Sequence, residues 1–190
     1  MKRLFDILGA CLGLVVCSPL LLLIYLVQRL TSTAPVIYSQ ERIGLHGRPF
    51  RIYKFRTMIV NTEEDGIPQL AEADDERLTH TGKFLRRHHL DELPQLWNVL
   101  RGDMSFVGYR PERKFFIDQI MELRPDYAQL YAIRPGITSM ATIYNGYTNT
   151  IEKMIRRLDM DLEYLHHHTL LTDLRIVVLT FLNVASGREI

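Results

Sequence analysis

Cysteine is almost absent from this 190-residue chain. Cys11 and Cys17 are the two it has, and both fall in an apolar N-terminal run where they read as small buried hydrophobes. No disulfide framework is implied, so a reducing compartment fits. An excess of either charge is missing too. The formal net charge is +1, which argues against a polyanion-binding protein overall. No internal repeat or low-complexity tract is visible. The length suits one compact domain with attachments and is too short for two large ones. What charge there is lies unevenly: Arg42, Arg48, Arg51, Lys54 and Arg56 are followed by Glu63, Glu64, Asp65, Glu72, Asp74, Asp75 and Glu76. That order suits an acidic surface loop beside a basic pocket.

Between Ile7 and Val27 no charged residue occurs. As a helix, this stretch would be about as long as a bilayer core is thick, at ~1.5 Å per residue. A cleaved signal peptide is disfavoured, because the run is too long and no small-residue cleavage site precedes a polar start. Two readings remain, a single spanning helix and a re-entrant hairpin. Ser18-Pro19 stands at the midpoint, and proline cannot donate to the carbonyl of Val15, so a bend is expected there. Each half would cover only ~16 Å, roughly half of the hydrocarbon thickness. Lys2 and Arg3 precede the run, while Arg29 and the 42–56 cations follow it, so the positive-inside rule puts both ends in the cytoplasm. Proline is nevertheless tolerated in spanning helices whose neighbours satisfy the freed carbonyl.

Residues 35–40 and 50–56 are β-rich runs around a turn containing Gly44, Gly47 and Pro49, which predicts a hairpin. A row of cations, Arg51, Lys54 and Arg56, is expected on one face of its second strand; for most such strands that would be a solvated sheet face. Residues 61–78 read as a polar loop with a short helix. A helix is expected from Thr81 to His89 with Phe84 and Leu85 inward. A second opens at Asp91 or Glu92 with Pro94 in its first turn and Gly102 closing it. A short strand follows at Met104 to Val107. Arg113 to Leu123 is amphipathic, with Phe116, Ile120 and Leu123 on one face. After a turn at Arg134-Pro135-Gly136 comes a loop through Thr150, then an amphipathic helix carrying Ile151, Met154, Ile155 and Leu158. The last helix, Leu170 to Val184, is apolar nearly all round apart from Asp173, Arg175 and Asn183, so it is either deeply buried or at a membrane surface. His166, His167 and His168 point about 100° apart on a helix and cannot chelate as a set.

Asp91 and Glu92 fall in sequence among Lys83, Arg86, Arg87, Arg101, Arg110 and Arg113. An Asp at a helix start is most often a cap. The arginine density favours chemistry, because a carboxylate attacking a phosphoryl group needs cations on the phosphate oxygens and a second carboxylate can hold a divalent ion.

The run Leu85-Arg86-Arg87-His88-His89-Leu90-Asp91-Glu92-Leu93-Pro94-Gln95-Leu96-Trp97-Asn98-Val99-Leu100-Arg101-Gly102-Asp103-Met104-Ser105-Phe106-Val107-Gly108 closely resembles the hallmark of the bacterial sugar transferase family, the monotopic phosphoglycosyl transferases. Ordered matches extend over nearly the whole chain: Lys2 to Asp6, Ser18-Pro19, Gln40 to Gly44, Tyr53 to Met58, Arg110-Pro111 and Pro135 to Thr138. The resemblance implies that Asp91 is a nucleophile that takes a sugar-1-phosphate from a UDP-sugar, releasing UMP, and that undecaprenyl phosphate then accepts it. Glu92 would bind Mg²⁺, and Lys54, Arg56, Arg86, Arg110 and Pro111 would meet the substrate phosphates or nucleotide. It also implies an α/β fold, mostly helical with a small sheet. Residues 1–30 would form a re-entrant membrane hairpin broken at Ser18-Pro19, and residues 31–190 a catalytic domain on the cytoplasmic face of the bacterial inner membrane. The apolar 170–184 helix would be a membrane-surface amphipathic helix, and nucleic acid is not an expected partner. The product would enter exopolysaccharide, O-antigen, capsule or glycoprotein assembly.

Departures from the family pattern are Tyr109 in place of the first proline of Pro-Arg-Pro, His89 in place of a common serine, and a longer 139–147 loop lacking its final arginine. The chain resembles a minimal catalytic form without extra N-terminal membrane domains. The competing reading is a membrane-tethered module that binds anionic lipid or nucleic acid through the basic hairpin and gives Asp91 no special role.

Overall fold

One helix, α1 (Lys2–Thr31), runs through the whole apolar N-terminal segment with Pro19 inside it. The expected division into two half-helices at Ser18-Pro19 is not seen. The reason is local: Ser18 Oγ donates to the carbonyl of Val15 at 2.7 Å, the acceptor that proline leaves without an amide. Residues 1–60, 68–70, 75–145 and 150–186 are described by this computed structural model. Most of the expected 61–78 loop and helix, with Glu63, Glu64, Asp65, Glu72 and Asp74, and also Gly146 and Tyr147, lie outside those residues.

Among the described residues, α1 is the helix long and apolar enough to cross a membrane. It is also fastened to the domain along one stripe. Asp6, Ala10, Ile24 and Gln28 are buried, at a spacing that keeps one side of a helix turned inward. Polar anchors fix both ends. Arg3 donates to the carbonyls of Val99 and Leu100, Asp6 accepts from Ser105 Oγ and the Phe106 amide, and Gln28 donates to the Arg56 carbonyl. The opposite side leaves Leu8, Leu12, Val15, Val16, Leu22 and Leu23 exposed. Cys11, expected to be buried, is on that exposed side.

The hairpin forms as expected, from β1 (Ile37–Ile43) and β2 (Pro49–Phe55), antiparallel, with Tyr38 opposite Lys54 and Gln40 opposite Ile52. The row of cations does not form. Successive strand residues face opposite ways, so Arg51 sits with Ser39 on the side away from Lys54. Helix α2 (His80–Arg87) is N-capped by Thr79, whose hydroxyl accepts from the Gly82 amide. Gly82 has to be glycine, since a Cβ there would collide with the Thr57 carbonyl. Leu85 is buried, but Phe84, expected inward, is 58% exposed; adjacent helical residues point ~100° apart.

Asp91 and Glu92 do not open the next helix. They occupy a separate 3-10 turn, Leu90–Glu92, and α3 (Gln95–Arg101) begins after Pro94. Gly102, at φ 94°, ends α3 in the left-handed conformation that favours glycine. Strand β3 (Ser105–Val107) leads into α4 (Lys114–Leu123), a 3-10 stretch (Pro125–Ala132) and β4 (Gly136–Thr138), which pairs parallel to β3. Among the described residues the result is mostly helical with two small sheets of two strands each. In α4, Phe116, Ile117 and Ile120 are buried, whereas Leu123 is 62% exposed because it lies in the last turn, beyond the core. Helices α5 (Met140–Asn145), α6 (Ile151–His167) and α7 (Leu170–Ala185) complete the chain's described part. In α7, Ile176 and Asp173 are buried while Leu171, Leu174, Val178, Phe181 and Leu182 are exposed. Asp173 accepts from Tyr164 Oη and pairs with Lys2 Nζ at 2.5 Å, joining α7 to the first turn of α1.

Candidate active site

His89 has φ 54°, a left-handed conformation unusual for a side chain with a Cβ. It turns the chain out of α2 and directs the 3-10 turn into a cavity of about 900 Å³ that Asp91 and Glu92 line. Asp91 is only 7% exposed. Burial pushes its carboxyl up to about 6; Lys54 opposes the shift and Glu92 adds to it. Glu92 shifts the other way. Burial alone would raise it, but Lys54 Nζ at 2.5 Å and Arg110 Nη2 at 3.1 Å, both on Oε1, hold it well below the usual carboxylate range. Near neutral pH both are therefore mainly ionised. Asp91 is the more basic of the two, as a nucleophile requires, while Glu92 stays locked among cations.

Several elements supply the cations. Lys54 comes from β2, Arg86 from the last turn of α2, and Arg110 from the irregular segment after β3; Arg42 on β1 and Arg113 also line the cavity. Arg86 is held below its usual range by burial, with Asp91 working against that shift. Arg110 is held above its usual range by Glu92. Burial also pushes His89 down, favouring the neutral imidazole. Such a wall suits an anion with several phosphate oxygens.

Arg110 lies between β3 and α4, and β1, β4 and α6 brace the segment around it: the Gly136 amide donates to the Tyr109 carbonyl at 2.8 Å and the Ile43 amide to the Glu112 carbonyl at 3.1 Å. The buried Glu112 accepts from Arg157 at 2.6 Å and from Arg42 at 2.9 Å. Arg42 also donates to the Pro111 carbonyl at 3.1 Å. Asp161, also buried on α6, has its carboxyl pushed up to about 7 by burial, with Arg157 working against that shift. Buried charges of this kind persist when they are paired and hydrogen-bonded.

The structure thus brings Asp91, Glu92, Lys54, Arg86 and Arg110 together. Arg56 lines the cavity edge, donating from Nε to the Pro35 carbonyl and stacking over Tyr38. Pro111 is not in the lining; its carbonyl serves Arg42 instead. Lys83 and Arg87 line the cavity, whereas Arg101 lies outside it, beside Asp103 at 3.6 Å. Ser18 and Pro19 are away from it, within α1. Glu112, Arg157 and Asp161 were not anticipated. Their signal was present: Met154, Arg157, Leu158 and Asp161 recur at helix-face spacing, so two charges sit on an apolar stripe. His166, His167 and His168 are exposed, and among the described residues no group of three or more His, Cys, Asp or Glu side chains is arranged to hold a metal.

The sequence model of a family described as bacterial sugar transferase matches residues 1–187. A UDP-N-acetylgalactosamine-undecaprenyl-phosphate N-acetylgalactosaminephosphotransferase of Aeromonas hydrophila is 39% identical over 98% of this chain and 44% of its own length. A UDP-glucose:undecaprenyl-phosphate glucose-1-phosphate transferase of Klebsiella pneumoniae is 43% identical over 94% of this chain and 39% of its own. A protein of the same description from Caulobacter vibrioides is 44% identical over 94% of this chain and 67% of its own. The chain spans less than half the length of the first two relatives.

Proposed function

The chain belongs to the bacterial sugar transferase family, and on that premise we propose that it moves a sugar-1-phosphate from a UDP-sugar to undecaprenyl phosphate, with release of UMP. The observation that carries this reading is the pairing of a buried, comparatively basic Asp91 with a cation-locked Glu92 in one cavity. In the first step an Asp91 carboxylate oxygen attacks the sugar-bearing phosphorus. The anhydride bond to the other phosphate breaks, and UMP departs with that electron pair. In the second, a phosphate oxygen of undecaprenyl phosphate attacks the same phosphorus and displaces the Asp91 carboxylate. Lys54, Arg86 and Arg110 hold the phosphate oxygens throughout. The relatives are described as acting on N-acetylgalactosamine and glucose donors.

Mg²⁺ is commonly held by one or two carboxylates with substrate phosphates completing its shell. Asp91 and Glu92 offer hard oxygens of that kind, and the donor set fits an ion shared with the nucleotide. Glu92 would hold it. When bound, the ion neutralises charge on the departing phosphate.

On the membrane, α1 lies in the cytoplasmic leaflet as one helix with both ends on the same face, and α7 rests at the surface of the bacterial inner membrane. The anchors at Arg3, Asp6 and Gln28 support this, since each end of α1 is tied to the same domain. A cysteine appended before Met1, in a Cys11→Ala, Cys17→Ala background, should resist an impermeant thiol reagent in intact cells. Labelling would show instead that α1 spans.

The reaction is tested by incubating purified protein with a labelled UDP-sugar and Mg²⁺ but no lipid. UMP should appear and the peptide containing Asp91 should gain one sugar-phosphate. UMP released only after lipid is added would replace the covalent scheme with direct transfer. No release from any UDP-sugar, with or without lipid, would sink the assignment.

A further inference from the structure

The cavity has two chemically different ends. Beyond the cations, its lining includes Phe106, Ile137 and four residues of α7: Val177, Thr180, Phe181 and Val184. Those four stand at i, i+3, i+4 and i+7, which is one side of a helix. The Thr180 hydroxyl is turned to other uses, donating to the Ile176 carbonyl at 2.8 Å and meeting Thr138 Oγ1 at 2.7 Å. The strip therefore offers methyl groups and a ring. Phe181 is 70% exposed. At about 100° per residue, Leu174 and Val178 follow round the helix from this strip, with Leu182 further round; Leu174 and Val178 are both exposed. Apolar surface is thus continuous from the cavity that holds Asp91 to the outer side of α7.

A nucleotide-sugar is polar over most of its surface and gains little from such a track. An amphiphile with a phosphate at one end and a hydrocarbon chain at the other matches both ends of the cavity. We infer that α7 is the acceptor track: the acceptor's isoprenoid chain lies along Val177, Phe181 and Val184 and leaves over Leu174 and Val178, while its phosphate reaches Lys54 and Arg110. This rests on the reading of the acceptor as a polyprenyl phosphate. It makes Val177 and Phe181 determinants of acceptor chain length, with no part in handling the donor.

The experiment compares Phe181→Ser and Val177→Thr with Leu182→Ser, which alters an exposed apolar residue of α7 that does not line the cavity. Single-turnover UMP release without lipid and steady-state transfer to undecaprenyl phosphate and to farnesyl phosphate are measured for each. UMP release should stay within about twofold of wild type in all three, while the KM for undecaprenyl phosphate rises about tenfold in Phe181→Ser, consistent with losing the apolar area that the isoprenoid chain would cover on this ring. The rise should be smaller in Val177→Thr and for farnesyl phosphate, and absent in Leu182→Ser. Equal effects in Phe181→Ser and Leu182→Ser would mean general membrane affinity and would overturn the track. So would slowed UMP release in Phe181→Ser, which would assign the strip to the nucleotide. If the wild-type protein released no UMP at all, the transferase reading and the track would fall together.

Discussion

Lys54 Nζ lies 2.5 Å from Glu92 Oε1, and this contact bridges 38 residues of sequence. It joins β2 to the 3-10 turn and lets two adjacent carboxylates behave differently. Glu92 keeps its charge because Lys54 and Arg110 meet it directly; Asp91, one residue earlier, is desolvated more than it is compensated.

Asp91→Asn keeps the side chain's shape and removes the anion proposed to attack. Both UMP release and formation of the sugar-phosphate adduct should fall to background. The variant should nevertheless unfold at the same temperature or higher, because it no longer desolvates a carboxylate whose burial pushes it up to about 6. Thermal unfolding in detergent checks this; a loss of several degrees would show Asp91 to be structural instead.

Arg110→Lys retains the charge but loses the planar fork that reaches Glu92 at 3.1 Å. The rate of UMP release should drop about 10²-fold, in the range seen when one preorganised donor is removed from a site of developing charge. Lys54→Met should cost at least as much, since it takes away the nearest partner of Glu92. Rapid-quench measurement of UMP is the readout, and near-wild-type rates in either variant would contradict the assigned roles.

Asp161 makes stability depend on pH. Its folded carboxyl is pushed up to about 7 from an ordinary 3.8. A raised carboxyl favours the fold fully below its unfolded value, and that contribution is lost as pH rises from about 4 through about 7. The wild-type unfolding temperature should therefore fall across this window. Asp161→Asn cannot ionise and should flatten the fall. A scan at several pH values in both proteins decides it, and parallel curves would remove Asp161 as the cause.

Ser18 and Pro19 should be coupled. Ser18→Ala alone leaves the Val15 carbonyl without its 2.7 Å donor and should destabilise the protein by about 1 kcal/mol. In a Pro19→Ala background the residue-19 amide returns to that carbonyl, and the same change should cost almost nothing. A double-mutant cycle on thermal stability measures the difference; additive effects would mean that the hydroxyl does not compensate the proline.

Local pattern made much of the fold legible. The hairpin, the Gly102 stop, the strand at 105–107 and the amphipathic helices all follow from periodicity and turn chemistry, and each formed close to its expected place. The Asp91-Glu92 pair and its cations stood out because several arginines crowd one stretch of sequence. Side-chain direction was harder to read. Arg51 was grouped with Lys54 although strand alternation separates them, and Leu123 was grouped with Ile120 although it lies past the edge of the core. The Glu112 network escaped notice because its partners come from β1 and α6, 70 and 45 residues away. The apolar wall of the cavity escaped for the same reason, since no local pattern says what α7 will face.

The anchors of α1 also bear on the order in which the protein can be assembled as it leaves the ribosome. Arg3 finds its carbonyls 96 residues later, Asp6 its serine 99 residues later, and Lys2 its aspartate 171 residues later. The first turns of α1 therefore wait, without these polar partners, until α3 and β3 have been synthesised. During that interval Asp6 lacks the Ser105 hydroxyl and the Phe106 amide, and water has to serve it until β3 arrives. The Lys2–Asp173 contact can close only when α7 has emerged, so attachment of α7 to α1 is a late event in biogenesis.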